Sequence, residues 1–178
     1  MVQVKAKPRV SEPAPTDYEG DFYLWCFDQA ELLRLRRFSE LDLPNLIEEL
    51  QSMGREQRYQ LEASYRLIIS HLLKWQHQPA LRSSSWKITL TRERANVRRR
   101  EADSHALRSH AAQIVASAYP DARKEAEVET GLPKSAFPPE CPYTFDQLRD
   151  PDWLPDAAPQ KAAEARRASR PALVAARS

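Results

Sequence analysis

The fold is decided by residues 41–79, which read LDLPNLIEELQSMGREQRYQLEASYRLIISHLLKWQHQP. Apolar residues recur here at spacings of three and four, the period of one face of an α-helix. Asp42 is placed to cap the first helix, and Pro44 is tolerated in its first turn because that amide needs no helical partner. Because glycine is unfavourable inside a helix, Gly54 is predicted to break or kink it. The predicted buried stripe of this helix consists of Leu46, Ile47, Leu50 and Met53.

A second helix is predicted from about Arg55 to Gln76, and this is the central helix of the core. Pro79 stops it because proline lacks the backbone donor that a helix needs. The predicted inner face consists of Leu61, Tyr65, Ile68, Leu72 and Trp75.

Further helices are predicted on both sides of this stretch. Thr16-Asp17-Tyr18-Glu19 has the pattern of a capping box, so a helix is expected from Thr16 to about Arg36. Its apolar residues cover more of the helix surface than one narrow stripe, so this helix is expected to pack on more than one side. After Pro79, the serines at 83–85 offer caps for a helix that runs to about Ala102.

The C-terminal half continues the helical pattern. Ser104 can cap a helix that is expected to reach Tyr119. Pro120 is predicted to start a new helical segment, which ends at Gly131 as the residue just past the helix. Residues 132–143 hold four prolines and are expected to form an extended strap, followed by a short helix over residues 144–149.

Composition limits the class of protein. The chain has 178 residues with three glycines and fourteen prolines, which disfavours Gly-rich phosphate loops and many-stranded barrels. No stretch approaches the roughly 18 apolar residues of a membrane-spanning helix. We therefore predict an all-α protein, a single-domain bundle of about five to seven helices with a Pro-rich C-terminal strap. The domain is expected over residues 16–156, between a disordered leader (1–15) and a disordered Ala/Arg-rich tail (157–178).

The ends of the chain and the cysteines indicate the compartment. The N-terminal residues contain bases and prolines but no apolar run for a signal peptide, which favours a cytoplasmic location. Cys26 and Cys141 are expected to be free, buried thiols, as in a reducing compartment. No cofactor is indicated. No metal site is predicted either, because the sequence lacks the Glu-x-x-His and His-x-x-x-His spacings that place two ligands on one helix face.

The net charge of +2 conceals one strongly basic segment. Residues 82–100 sum to +6, whereas residues 17–81 sum to −4 and residues 101–156 to −6. One interpretation is phosphate binding, which would be salt-sensitive and independent of sequence. The alternative, which we favour, is neutralisation inside the fold by an acidic neighbour that carries Glu125, Glu127 and Glu129. The candidate binding residues are Arg82, Trp86, Lys87, Arg94 and Arg98.

Candidate catalytic residues are few. Glu49, His71 and Lys74 are the candidates for acid–base chemistry or metal ligation, because burial can shift such groups towards neutral pKa values. The simpler interpretation is structural: one of Glu48 and Glu49 forms an ion pair with Arg55. In the same interpretation His71 and Lys74 stabilise the end of the central helix. Trp75 and Gly131 are assigned structural roles.

Several separated motifs resemble a known family. They lie in the order expected for the bacterial family called domain of unknown function twenty-nine, and they span about residues 17–154. The motifs are LDLPNLIEEL at 41–50, Gly54-Arg55, HLLKWQ at 71–76 with Gln78-Pro79, Arg82 with Ser85-Trp86, ETGL at 129–132, and Phe137-Pro138 with Cys141-Pro142-Tyr143. The resemblance implies an all-helical bacterial protein, and it implies no particular activity, cofactor or partner.

Three functional hypotheses follow. We expect a module that binds another macromolecule, with an unknown protein as the favoured partner and nucleic acid, bound through residues 82–100, as the alternative. A metal-dependent or acid–base enzyme that uses Glu48, Glu49 and His71 is the third, and the sequence leans against it because no third orienting group is evident. No membrane partner is expected. The sequence does not determine the oligomeric state.

Overall fold

The computed structural model describes residues 16–158, and its helices confirm the predicted all-α class. Six α-helices follow one another, and no strand occurs between residues 16 and 158. The predicted leader (1–15) and the tail from residue 159 onward lie outside the described residues. The helices are α1 Phe22–Arg34, α2 Leu43–His77, α3 Ser84–Asp103, α4 His105–Ser109, α5 Ala111–Thr130 and α6 Phe145–Arg149.

The chain divides between Gly54 and Arg55 into two compact units. Of the described residues, 16–54 form the N-terminal unit, which holds α1 and the first turns of α2. Residues 55–158 form the C-terminal unit, which holds the rest of α2 and the helices α3 to α6.

The first helix begins and ends at other residues than predicted. The Thr16 backbone N–H donates to the Asp28 carboxylate at 2.8 Å, so no capping box starts a helix at Thr16. Asp21 caps α1 instead, since its side chain accepts a hydrogen bond from the first-turn amide of Leu24 at 3.0 Å. The helix stops at Arg34, before the predicted Arg36, which has a φ of 58° in the left-handed region.

The predicted break at Gly54 is wrong, because α2 is one continuous helix of 35 residues. Asp42 lies at its start as predicted, and its carboxylate accepts a hydrogen bond from the Asn45 side chain at 2.7 Å. Glycine in a helix costs only about 1 kcal/mol, which the rest of a long helix offsets. Residues 53–59 are exposed on every side of the helix.

The core of the C-terminal unit forms around the second half of α2, as predicted. Three alanines of α5 lie in this core, and the strap after α5 adds two aromatic rings. α2 contributes Leu61, Tyr65, Ile68, Ile69, Leu72 and Leu73; α3 contributes Leu90 and Val97; α5 contributes Ile114, Val115, Ala118, Tyr119, Ala122 and Ala126; later residues contribute Phe137, Tyr143 and Leu148.

The helix boundary predicted at Pro120 lies elsewhere. Ser104 caps only the short α4, and the chain breaks at His110 before α5 begins. Pro120 then lies inside α5 without ending it. Pro120 and Ala116, whose carbonyl loses its helical donor, are both exposed, so water can satisfy that carbonyl.

The end of the domain agrees with the local signals in the sequence. Gly131 ends α5 with a φ of 66°, a conformation that glycine adopts without steric cost. The strap follows, and its Phe137 is buried in the core. Thr144 and Gln147 then form a capping box that starts α6.

Candidate functional site

Trp75, near the end of α2, is covered by two cations of the chain itself. The guanidinium carbon of Arg82 lies 4.9 Å from the centre of the Trp75 ring, and the Lys87 ammonium lies 5.4 Å from it. Arg82 also donates from Nε to the Trp75 carbonyl oxygen at 2.9 Å. These cation–π contacts hold the start of α3 against the end of α2. Arg82 and Lys87, both predicted as binding residues, are thus used for packing.

The predicted catalytic residues of α2 also have structural partners. Lys74 is only 3% exposed; its ammonium donates to Glu129 at 2.5 Å and lies 5.2 Å from the centre of the Trp86 ring. The Nδ1 atom of His71 lies 2.9 Å from the carbonyl oxygen of Leu67. Burial lowers the pKa of His71, and the charge of Lys74 lowers it further. His71 is therefore a neutral, half-buried side chain at neutral pH.

Arg94, one of the residues predicted to bind phosphate, is buried, with 2% of its surface exposed. Its guanidinium donates to four backbone carbonyls, at distances of 2.9 to 3.2 Å. Two of these carbonyls belong to the last turn of α6, where they lack helical partners. Arg94 is therefore a clip between α3 and the C-terminal segment. The four carbonyls are those of Gln147, Leu148, Pro151 and Trp153.

The predicted neutralisation of residues 82–100 by three glutamates of α5 is wrong. Glu125 pairs with Arg66, Glu127 with Lys124, and Glu129 with Lys74. None of these three bases belongs to residues 82–100, because the α5 glutamates face α2 or their own helix.

Two acids of α3 have partners inside the fold, and one of them, Glu93, pairs with a base of residues 82–100. Arg92 donates from Nε to the adjacent Glu93 at 2.7 Å. Glu101 is buried, and it accepts hydrogen bonds from the Tyr65 hydroxyl at 2.6 Å and from Arg149 at 2.8 Å. Two acidic groups of α3 thus lie inside the fold.

The predicted ion pair of Arg55 with Glu48 or Glu49 would join the two units and stays a prediction. Glu49 accepts a hydrogen bond from the Tyr18 hydroxyl at 2.6 Å. This bond raises the pKa of Tyr18 to about 12. Glu49 lies in the N-terminal unit, whereas His71 and Lys74 lie in the C-terminal unit.

The N-terminal unit carries an unusual amount of exposed apolar surface. Within residues 16–158, fifteen large apolar side chains are exposed, and eleven of them lie between residues 22 and 53. Their exposed fractions range from 47% to 69%. We call these eleven side chains the N-terminal apolar surface: Phe22, Tyr23, Leu24, Phe27, Leu33, Leu35, Phe38, Leu43, Ile47, Leu50 and Met53.

In α1 the apolar side chains extend far beyond the face that is packed. Trp25, Gln29 and Leu32 are buried on one side of the helix. At about 100° per residue, four exposed or half-exposed apolar residues cover the adjoining arc of roughly 140°. They are Phe22, Cys26, Tyr23 and Phe27. The expectation that α1 packs on more than one side is therefore wrong for this unit.

In α2 the stripe predicted to be buried is largely exposed. Ile47, Leu50 and Met53 are more than half exposed, as is Leu43 one turn earlier. Their spacing places them on one side of the helix. The sequence pattern thus describes a real amphipathic stripe, but no part of its own unit covers it.

The rest of the unit is specifically packed, so the exposure is a property of a folded surface. Asp42 accepts a hydrogen bond from the Trp25 indole at 3.3 Å, and its backbone N–H donates to the Gln29 side chain at 2.8 Å. The Tyr18 ring lies edge-on to the Trp25 ring with centroids 5.0 Å apart. These contacts join α1 to the start of α2.

A family model now places the chain among known proteins. The model described as domain of unknown function DUF29 matches residues 18–154. The chain belongs to this DUF29 family. No curated protein and no solved structure shows significant similarity to it.

Among residues 16–158, no three His, Cys, Asp or Glu side chains are grouped as a metal site requires. Cys26 and Cys141 are free thiols, and burial raises the pKa of Cys141. Arg98 is exposed on α3. None of the helices described is both long and apolar enough to cross a bilayer.

Sequence reasoning missed the exposure of Tyr23, Leu24 and Phe27. A signal was present, because apolar residues occur on nearly every side of α1. A two-helix unit cannot bury all sides of such a helix. The excess of apolar residues thus predicts that part of α1 stays exposed in this unit.

Proposed function

We propose that this DUF29 chain is a protein-binding module whose partner covers the N-terminal apolar surface. One observation carries the proposal: eleven of the fifteen exposed large apolar side chains described lie within residues 22–53. Monomeric proteins rarely expose large contiguous apolar patches, and such patches mark interaction sites. A partner would also bury the α2 stripe whose periodicity is otherwise unexplained.

The size of this surface is sufficient for a stable complex. At roughly half of the 150–250 Å² that a buried aromatic side chain covers, each exposed aromatic ring offers on the order of 100 Å², and the aliphatic side chains somewhat less. Eleven such side chains together are comparable to the roughly 800 Å² per partner of a standard interface. Four of the eleven are aromatic, a class enriched at interfaces.

Nucleic-acid binding through residues 82–100 is the weaker alternative. Arg94 is buried on carbonyls, and Arg82 and Lys87 pack on Trp75. Four bases of the segment are exposed, but Lys87 packs on Trp75 and Arg92 pairs with Glu93. The two that are left, Arg98 and Arg99, are fewer than the basic stripe that nucleic-acid binders present.

Site-specific photocrosslinking in living cells tests the proposal. We expect a photoreactive phenylalanine analogue at Phe27 or Leu50 to crosslink to one and the same protein. The matched control is Ile88, an equally exposed apolar residue of α3. The crosslinked protein, once purified, should bind the unmodified chain and lose at least about tenfold in affinity with Leu50→Ser but not with Ile88→Ser. Equal crosslinking at all three positions, or none at Phe27 and Leu50, would contradict the proposal.

A pH measurement tests the interpretation that burial keeps both histidines of α2, His71 and His77, neutral in the folded chain. Burial lowers the pKa values of His71 and His77, so the unfolded chain binds more protons than the folded chain below about pH 6.5. We therefore expect the melting temperature to fall between about pH 7.5 and about pH 5.5. Replacing both histidines with glutamine should reduce that fall. An undiminished fall in the double variant would refute the interpretation.

A further inference from the structure

The N-terminal unit is strongly acidic as well as apolar. Residues 16–54 carry nine acidic and three basic side chains, a net charge of −6, whereas residues 55–158 carry a net charge of +2. Two of the three bases are already used, since Arg34 pairs with Glu31 and Arg37 with Glu40. The surplus of negative charge therefore belongs to the unit that carries the apolar surface.

Acidic side chains flank the apolar residues along the helices. At about 100° per residue, Asp28 lies on α1 beside Leu24. On α2, Glu48 and Glu49 lie on either side of the stripe formed by Leu43, Ile47 and Leu50. Glu48 is exposed. The arrangement is that of an interface with an apolar centre and a charged rim.

We propose that the occupant of the N-terminal apolar surface is a basic amphipathic helix of another protein. This inference rests on the proposed function and names the chemistry of its partner. Lysines or arginines on the flanks of such a helix would meet the acidic rim, while its apolar stripe would cover the surface. The described residues offer helix faces and no strand edge, so an added helix can pack by the usual ridges and grooves whereas an added strand has no edge to extend.

Charge and composition argue against three other occupants. A second copy would bring a unit of −6 against a unit of −6, and like charges across an interface are repulsive. An anionic membrane would be repelled in the same way, since helices that bind such membranes are basic. Residues 159–178 of the chain itself carry a net +4, but Leu173 and Val174 are their only large apolar residues, too few to cover eleven side chains.

Synthetic helical peptides test the inference with the full-length chain. The probe is a Leu/Lys amphipathic peptide of about five turns (~18 residues), labelled for fluorescence anisotropy. The controls are the same peptide with every Lys changed to Glu, and a scrambled peptide of the same composition without an apolar face. We expect the Leu/Lys peptide to bind at least about tenfold more tightly than either control, with binding that weakens as salt is added.

Variants of the chain connect the binding to the surface. Leu50→Ser and Phe27→Ser should each lower the affinity for the Leu/Lys peptide at least about tenfold, and Ile88→Ser should leave that affinity unchanged. Glu48→Lys should weaken it and reduce its salt dependence. Because all four positions are exposed, each variant is expected to fold, and its circular dichroism and melting temperature verify this.

The outcomes separate the two proposals. If the Leu/Lys and Leu/Glu peptides bind equally well, and Leu50→Ser weakens both, the proposal of a basic partner is overturned. The proposal that the surface binds a protein would then still hold. If no peptide binds but Phe27 and Leu50 still crosslink to a protein, the proposal of a basic partner is likewise overturned and the proposed protein binding still holds. A dimer in light scattering that Leu50→Ser dissociates would make a second copy the occupant, and preferential binding to anionic vesicles would make it a membrane. Absence of both peptide binding and crosslinks would overturn both proposals.

Discussion

Replacing Arg94 with methionine will lower the free energy of unfolding by about 3–5 kcal/mol, because its four carbonyl acceptors stay in place and lose their donors. Its guanidinium satisfies four carbonyls, and each buried carbonyl left without a donor costs about 1–3 kcal/mol unless water reaches it. Methionine keeps much of the volume and removes only the donors. The measurement is chemical denaturation of both proteins, followed by circular dichroism.

The control for this prediction is Arg98→Met, one turn further along the same face of α3. Arg98 is exposed, so its loss should change stability by no more than about 0.5 kcal/mol. Limited proteolysis adds a structural measurement, because Arg94→Met should expose the segment after α6 to cleavage. If the two variants are equally stable and equally resistant, Arg94 does not clip that segment to α3.

The same residue illustrates a limit of sequence reasoning. A helical projection of residues 82–100 places Lys87, Arg94 and Arg98 on one arc, which makes all three candidates for phosphate contact. In the structure Arg94 is buried and Arg98 exposed. The acceptors of Arg94 lie more than fifty residues later in the chain, and no local pattern announces that these carbonyls lack partners.

Signals that depend only on neighbouring residues were more reliable. Gly131 as the end of α5 and Thr144 as the start of α6 were predicted correctly, because caps are satisfied within one helical turn. Gly54 and Pro120 were read as boundaries on the same local grounds, yet both lie inside helices. Breaking residues add a cost of a few kcal/mol at most, which a long or well-packed helix can offset.

The candidate interface shows a different limit. The periodicity of Ile47, Leu50 and Met53 correctly indicates a helix face that avoids water, and it predicted burial in the chain's own core. Periodicity cannot say whether the cover comes from the same chain or from another one. Only the structure, in which these residues are exposed, distinguishes the two cases.

The second large effect is expected at Glu101, which joins three helices. Its carboxylate accepts hydrogen bonds from Tyr65 of α2 and Arg149 of α6, and burial together with the bond to Glu101 raises the pKa of Tyr65. Glu101→Leu should lower the free energy of unfolding by about 3 kcal/mol, since it leaves a buried hydroxyl and a partly buried cation without an acceptor. Tyr65→Phe removes one neutral donor and should cost about 1 kcal/mol. Denaturant titration of each variant measures these differences.

A double variant decides whether the loss comes from the unpaired partners or from the missing carboxylate itself. Replacing a whole buried ion pair with apolar residues is often close to neutral, whereas removal of one partner is costly. Glu101→Leu combined with Arg149→Leu should therefore recover more than half of the stability that Glu101→Leu loses. If the two losses simply add, the pair is not coupled, and α6 is held to the core by Arg94 and by the packing of Leu148 alone.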